Sequence, residues 1–260
     1  MRRPDLLVFE HQHDLFATAA TALAQQATVA VAARGRFLLV ISGGGTPRPL
    51  YRLLAQPPYR DDLPWAKTHV FWADERMVPP VDDESNYHQA WSVWLQHVPI
   101  PREQIHAIDG ELTPESAAGD YANKLAAMAP PGRAWPRFDL VLLGLGADGH
   151  TASLFPGSPH PLPAATPTLP VTADYGGRPA QRVTLTPPAI NSARHVIFLV
   201  TGSDKAGAVA QTLAPKGDPR ALPARRIQPE HGQLSWFLDR DAAARLQQTP
   251  RTTPPPVANS

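Results

Sequence analysis

The feature that most constrains this chain is a repeated couplet: a short apolar run, then a glycine-rich or polar turn, then residues at helical spacing. Phe37–Ile41 is an uninterrupted run, and Phe138–Leu143 repeats the pattern around Asp139. A strand with one wet face alternates apolar and polar residues, so continuous runs predict strands covered on both faces, as in a parallel sheet. Leu6–Phe9, Val70–Trp72, Arg182–Thr186, His195–Thr201 and Leu234–Leu238 supply further strand candidates. Helical spacing is carried by His13–Arg34 (Leu15, Phe16, Ala19, Leu23, Ala27, Ala30), which ends at Gly35, a capping residue. Further helices are predicted from Pro47 through Leu54 and at Asn86–Gln96, Thr113–Met128, Ser203–Leu213 and Asp239–Gln247. This alternation predicts the α/β class: an open, mostly parallel twisted sheet with helices on both faces. One catalytic domain is expected over residues 1–247, with an irregular Pro/Gly-rich excursion at 156–180. The Thr/Pro-rich tail, 248–260, reads as disordered.

Composition removes several function classes. The chain has 260 residues, 43% of them hydrophobic, enough for a substantial core. Basic and acidic side chains number 24 and 23, so the field of a general nucleic-acid binder is absent. With no cysteine there is no disulfide framework, no Cys-based zinc site and no thiol nucleophile. Behind Met1-Arg2-Arg3 the apolar run stops at Glu10, too short for a signal-peptide core, and no stretch reads as long enough to cross a bilayer. A cytoplasmic protein without membrane or nucleic-acid partners is the expectation.

On such sheets, sites gather at the carboxyl ends of strands. Ser42-Gly43-Gly44-Gly45-Thr46-Pro47 follows the first long run. Successive glycines let backbone N–H groups turn toward one point, and a helix start adds partial positive charge there. A ligand-free turn needs fewer glycines, so the pattern favours an anion such as phosphate. No Gly-Lys-Ser/Thr follows, which removes the Walker type of nucleotide site. Asp74-Glu75-Arg76 ends the next strand, where Asp74 and Arg76 would orient a polar substrate or meet developing negative charge; a salt-bridged surface turn is the plain alternative. Gly144-Leu145-Gly146-Ala147-Asp148-Gly149-His150 contains a G-x-G-x-x-G spacing, but Pro156 leaves no room for the long helix a dinucleotide site requires. What remains is a sharp bend presenting Asp148 and His150, and an imidazole suits general-base work on water. Lys205, one of only four lysines, stands at a further strand-to-helix junction and would be a second phosphate partner or a solvated helix-start residue. Arg182 opens a strand candidate and gains no role from the pattern alone. The ten histidines are scattered without metal-ligand spacing, and no G-x-S-x-G elbow is present. Catalysis by water, without metal or covalent intermediate, fits the remainder.

These blocks resemble the 6-phosphogluconolactonase family. The resemblance rests on Ser42–Pro47 with Leu50-Tyr51, on Trp72–Arg76 with Ser85-Asn86-Tyr87, and above all on Phe138–Gly144 through Asp148-Gly149-His150 to Pro156-Gly157. Arg182–Thr186, Thr201-Gly202 with Lys205, and Trp236–Asp239 add weaker support. It implies a fold shared with glucosamine-6-phosphate deaminase and ribose-5-phosphate isomerase. The implied activity is hydrolysis of 6-phospho-D-glucono-1,5-lactone to 6-phosphogluconate, in the pentose phosphate pathway, without a cofactor. By the same resemblance Ser42, Gly43, Gly44, Gly45 and Thr46 with Lys205, and with Arg182, would hold the 6-phosphate. His150 would deprotonate water, with Asp74 and Arg76 at the reacting end. Family members often carry Ser where Gly45 stands, which removes one hydroxyl donor here. A phosphosugar lactone is thus the expected partner, on a monomer or weak homo-oligomer.

Two other readings compete. A ketosamine-phosphate deaminase or isomerase would need an additional acid near the histidine, and residues 151–173 contain no Asp or Glu. A non-catalytic sugar-phosphate sensor would keep the glycine turn and Lys205 but would not need Asp148-Gly149-His150.

Overall fold

A computed structural model describes residues 3–157 and 166–246. The strands are β1 (Asp5–Phe9), β2 (Phe37–Ile41), β3 (Thr68–Trp72), β4 (Asp74–Arg76), β5 (Ile105–His106), β6 (Leu140–Leu143), β7 (Thr168–Thr172), β8 (Gln181–Leu185), β9 (His195–Val200) and β10 (Gln233–Asp239). The helices are α1 (Gln12–Arg34), α2 (Arg48–Leu54), α3 (Tyr59–Asp62), α4 (Asn86–Val93), α5 (Pro114–Ala127), α6 (Pro187–Asn191), α7 (Ala206–Leu213) and α8 (Arg240–Ala243).

Seven strands form one sheet in the order β1-β10-β9-β6-β2-β3-β5, every pairing parallel. All residues of β2, β6 and β9 are buried, so both faces of the sheet centre are covered, which is why these strands read as unbroken apolar runs. His195 is the polar exception: its Nε2 meets Ser235 Oγ at 2.8 Å, and burial pushes its pKa down to about 4, leaving a neutral ring inside. Helix α1 turns Leu15, Phe16, Ala19, Ala20, Leu23, Ala27 and Ala30 inward. By length and apolar composition alone this helix would reach across a bilayer, contrary to the sequence expectation; its buried stripe packs into the core instead.

From β2 the chain moves outward to β3 and β5, then returns to set β6 on the opposite side of β2. Connections therefore diverge between β2 and β6 and leave a crevice outside their carboxyl ends, the topological switch point of an open α/β sheet.

A second sheet, β4-β8-β7, is antiparallel, and it corrects three expectations. Asp74–Arg76 is not the end of β3 but a separate strand. The strand expected at Arg182–Thr186 joins β4 and not the main sheet. Residues 166–180 are not irregular, because β7 lies there; residues 158–165 of the expected excursion, the tail 248–260 and Gln247 lie outside the described residues. Ala73 passes the chain between the sheets: its N–H donates to Ile41 O at 2.8 Å, and its carbonyl accepts from Leu185 N–H at 2.7 Å. Because β5 has only two residues, Trp72 lacks a ladder partner there. The Tyr121 hydroxyl of α5 replaces it, accepting from Trp72 N–H at 2.8 Å and donating to Trp72 O at 2.9 Å.

Candidate active site

One cavity of about 200 Å³ opens at the switch point, below the range that drug-sized ligands occupy. Ser42, Gly43, Gly44, Gly45, Thr46, Asp74, Arg76, His150, Arg182 and Lys205, all singled out from the sequence, line it together. Asn86, Tyr175 and Arg178 also line it and were not singled out.

The glycine turn forms one wall. Gly44 has φ +95°, a left-handed conformation that glycine adopts without strain. A Cβ on Gly43 would overlap the Asn86 side chain, so the glycine permits close approach of the two loops. Tyr51 anchors the turn from α2 by donating to Ser42 O at 2.5 Å, and Ser42 Oγ donates to Leu142 O at 3.0 Å. Gly44 N–H is already engaged by Gln89 Oε1 at 2.9 Å. Helix α2 starts at Arg48 and spans only seven residues, with Pro47 at its N-cap and no side-chain cap. The cradle is therefore mainly backbone. Lys205 adds the formal charge. It closes a short 3-10 turn after β9, its Nζ 2.9 Å from Asp204 Oδ2. Asp239 holds that junction from β10, both its oxygens accepting from Gly202 N–H at 3.1 and 3.0 Å.

After β6 the chain makes a tight turn with no helix behind it, which removes the dinucleotide reading of the glycine spacing. Gly149 has φ +84°, and Gly146 N–H donates to His150 O at 2.8 Å, closing the loop. The loop brings His150 against Asp148: Nδ1 lies 2.6 Å from Oδ1, which also accepts from His150 N–H at 3.1 Å. Burial pushes the Asp148 carboxyl up, but hydrogen bonding and charge from His150 outweigh it, and its pKa falls below the ordinary value. An ionised carboxylate only accepts, so Nδ1 carries the hydrogen and Nε2 is left as the basic nitrogen. Phe155 and Tyr175 flank the ring, each with its centroid 4.8 Å away.

The second sheet supplies the cations, and its period of two decides which side chains point in. Asp74 lies opposite Thr184 and Arg76 opposite Arg182, so all four share one face. Glu75 takes the other face. Its carboxylate accepts from the N–H groups of Arg76, Asn86 and Tyr87 at 2.7–2.8 Å and from Ser85 Oγ at 3.1 Å, anchoring the start of α4. Burial pushes Glu75 up to about 7 against the pull of those donors. Asp74 accepts from Ser153 Oγ at 2.6 Å and from Asn86 Nδ2 at 3.3 Å. Arg76 Nη1 is committed to the Glu84 carbonyl at 2.5 Å and to its carboxylate at 3.4 Å. Arg182 is the freer of the two: both are buried, but Arg76 leaves only its Nε without a partner, whereas Arg182 leaves Nε and Nη2. Burial first, and then the neighbouring Arg76 guanidinium, pull its pKa below the ordinary arginine value. An incoming anion would satisfy the orphaned donors and relieve the repulsion. Its Cζ lies 5.3 Å from the centre of the Phe155 ring that also packs on His150, so this guanidinium is on the imidazole side of the cavity.

Asn86 stood inside a quoted motif, but nothing in its spacing pointed to the cavity. Ser153 would have needed the knowledge that Asp74 crosses to it over a sequence gap of 79 residues.

An open parallel sheet with a backbone cradle, an oriented imidazole and unpaired arginine donors at its switch point defines an α/β protein with a cationic site beside a basic nitrogen. The family of glucosamine-6-phosphate isomerases and 6-phosphogluconolactonase matches residues 10–236. A 6-phosphogluconolactonase of Synechocystis sp. is 42% identical over 247 residues, covering 94% of this chain and 99% of that protein. The structure of 6-phosphogluconolactonase from Trypanosoma brucei superposes with a TM-score of 0.83 at 30% identity, covering 94% of this chain and 99% of the other. A monomeric glucosamine-6-phosphate deaminase superposes with a TM-score of 0.79 at 20% identity over 93% and 99%, a likeness of fold. The chain belongs to the glucosamine-6-phosphate isomerase/6-phosphogluconolactonase family.

Proposed function

We infer that this chain hydrolyses 6-phospho-D-glucono-1,5-lactone to 6-phosphogluconate, with His150 as general base. The observation that carries this reading is His150, held by Asp148 at Nδ1, lining the same cavity as the glycine turn and Lys205. Relatives named as 6-phosphogluconolactonases over nearly their whole length support the substrate.

The 6-phosphate sits between the free N–H groups of the Ser42–Thr46 turn and Lys205, and that remote anchor orients C1 of the lactone. His150 Nε2 takes a proton from water while the oxygen attacks C1, and Asp148 steadies the imidazolium that forms. Arg182 stabilises the oxyanion with its unpaired N–H groups, and the same donors then hold the product carboxylate. This moves Arg182 from the phosphate end, where the resemblance had it, to the reacting end. Arg76 supports it at one remove, being tied to Glu84. The tetrahedral intermediate collapses by expelling the ring oxygen, which recovers the proton from His150. A lactone is an activated ester, so one base at about 10²–10⁴-fold and an oxyanion contact of similar size are a sufficient demand.

The test is lactone hydrolysis with and without the 6-phosphate, corrected for spontaneous opening, in the wild type and His150→Ala. Loss of turnover in the variant with product binding retained is expected; unchanged turnover overturns the base assignment. The same proposal treats residues 1–247 as one catalytic unit, monomeric or weakly associating, acting in the cytoplasm. Gel filtration and cell fractionation check these points.

A further inference from the structure

We propose that the tip of the β7–β8 hairpin, Tyr175-Gly176-Gly177-Arg178, is a built part of the active site, with Tyr175 a positioning residue for the His150 imidazole. The proposal rests on the lactonase reading above. The hairpin keeps one register to its end. Thr172 stands opposite Gln181, Ala173 N–H donates to Ala180 O at 3.0 Å, and Tyr175 pairs with Arg178, whose N–H donates to Tyr175 O at 3.2 Å. Gly176 and Gly177 have φ of +60° and +71°, the two successive left-handed residues of the tight turn whose twist matches a hairpin. Glycine takes both positions without strain.

Directly opposed residues leave an antiparallel pair on the same side. The turn therefore delivers an aromatic ring and a guanidinium together onto the cavity mouth, and both line it. The Tyr175 ring meets His150 nearly edge-on, at 76°, and lies 5.5 Å from Phe155, closing a cluster of three rings. Asp148 holds the imidazole only at Nδ1, a pivot about which the ring plane can swing; Phe155 and Tyr175 fix that plane. Arg178 reaches across the mouth to Glu84, at 3.9 Å, the same carboxylate that Arg76 approaches at 3.4 Å. Arg178 and Glu84 are partly exposed, so the pair is a weak latch that opens for substrate. The tip thus spans the mouth, touching the base on one side and the arginine wall on the other.

Two readouts test this. In histidine-selective NMR, Tyr175→Ala shifts the His150 Cε1–H resonance by removing a ring current, and Tyr175→Phe leaves it in place. In kinetics, Tyr175→Ala lowers kcat on the order of 10²-fold with KM held, and Tyr175→Phe restores it, because the ring and not the hydroxyl makes the contacts. Should Tyr175→Ala fail to fold, Tyr175→Leu keeps apolar bulk and carries the same expectations. Wild-type kcat in the Ala or Leu variant, failure of Phe to rescue, or an unmoved resonance overturns the proposal. A wild-type protein with no lactone turnover sinks the functional reading instead, and the resonance then decides the ring contact by itself.

Discussion

Adding one methyl group at Gly146 should disable the catalytic pair without disturbing the fold. A Cβ built there overlaps Nδ1 and Cε1 of His150 and comes 2.5 Å from Asp148 Oδ1, so it enters the hydrogen bond that sets the tautomer. The backbone is not the obstacle, since Gly146 lies outside the left-handed region and alanine adopts its conformation. To restore a normal contact the imidazole must retreat by about 1.4 Å or more, and a displacement of about 1 Å is already worth on the order of 10²-fold in rate. Losing the charge-assisted bond to Asp148 adds about 1.5–3 kcal/mol of transition-state destabilisation, another factor of about 10 to 100. The glycine turn and Lys205 are untouched, so Gly146→Ala is expected to lower kcat by about 10³–10⁴-fold with KM little changed. Acid release from the lactone, corrected for spontaneous opening, measures both constants. Gly119→Ala, in α5 and away from the cavity, is the matched control, because a Cβ there meets nothing within 4 Å. Wild-type kcat in Gly146→Ala would refute the claim that His150 works from its position over this glycine.

Three other expectations concern charge and donors. Lys205→Ala should raise KM with kcat nearly retained, and a pure kcat loss would place the phosphate elsewhere. Gly45→Ser has open space around its Cβ and returns the hydroxyl that family members often carry; steady-state kinetics should show KM lowered by up to about tenfold, the worth of one hydrogen bond to an anion, and a raised KM would count against the cradle. For stability, His195 titrates near 6.5 when unfolded and near 4 when folded, so only the unfolded chain takes up a proton as pH falls between those values. The contribution is complete above about pH 6.5 and is lost toward pH 4, by up to about 3 kcal/mol. Urea unfolding at pH 7 and pH 4.5 should therefore show a larger drop in the wild type than in His195→Gln; equal drops would refute the assignment.

The parallel sheet was legible because burial on both faces writes itself into the chain as unbroken apolar runs, as in Phe37–Ile41. The antiparallel sheet was not, for an equally physical reason. Three residues, Asp74-Glu75-Arg76, carry no apolar signal, and their strand exists only because β8 arrives to pair with them. Cross-strand register then did what local pattern could not, setting Arg182 beside Arg76 and so giving a role at the reacting end to a residue that the pattern alone left without one. Tyr175 and Arg178 were hidden by the glycines between them, read as irregularity when they form the turn of a hairpin. The polar strand ends were found because β2, β6 and β9 all point their carboxyl ends into one crevice.

The carboxylate inventory separates hydrolysis from the deaminase chemistry available to the same fold. Opening an amino-sugar ring and moving a proton from carbon requires an acid for the ring oxygen in addition to the base. Among the described residues lining the cavity Asp74 is the one carboxylate, against four cations: Arg76, Arg178, Arg182 and Lys205. Its oxygens accept from Ser153 and Asn86, an arrangement that braces the second sheet against the 151–155 turn and leaves it poorly placed to deliver a proton. The imidazole, held by Asp148 through Nδ1, offers one basic nitrogen and one proton in transit, which is the requirement for adding water to a carbonyl. Glucosamine 6-phosphate should therefore bind through its phosphate and release no ammonia, while competing with the lactone. An ammonia assay run alongside lactone turnover decides it: ammonia release at a rate comparable to hydrolysis would mean that a carboxylic acid reaches the ring oxygen, and the division of labour between His150 and Arg182 would have to be redrawn.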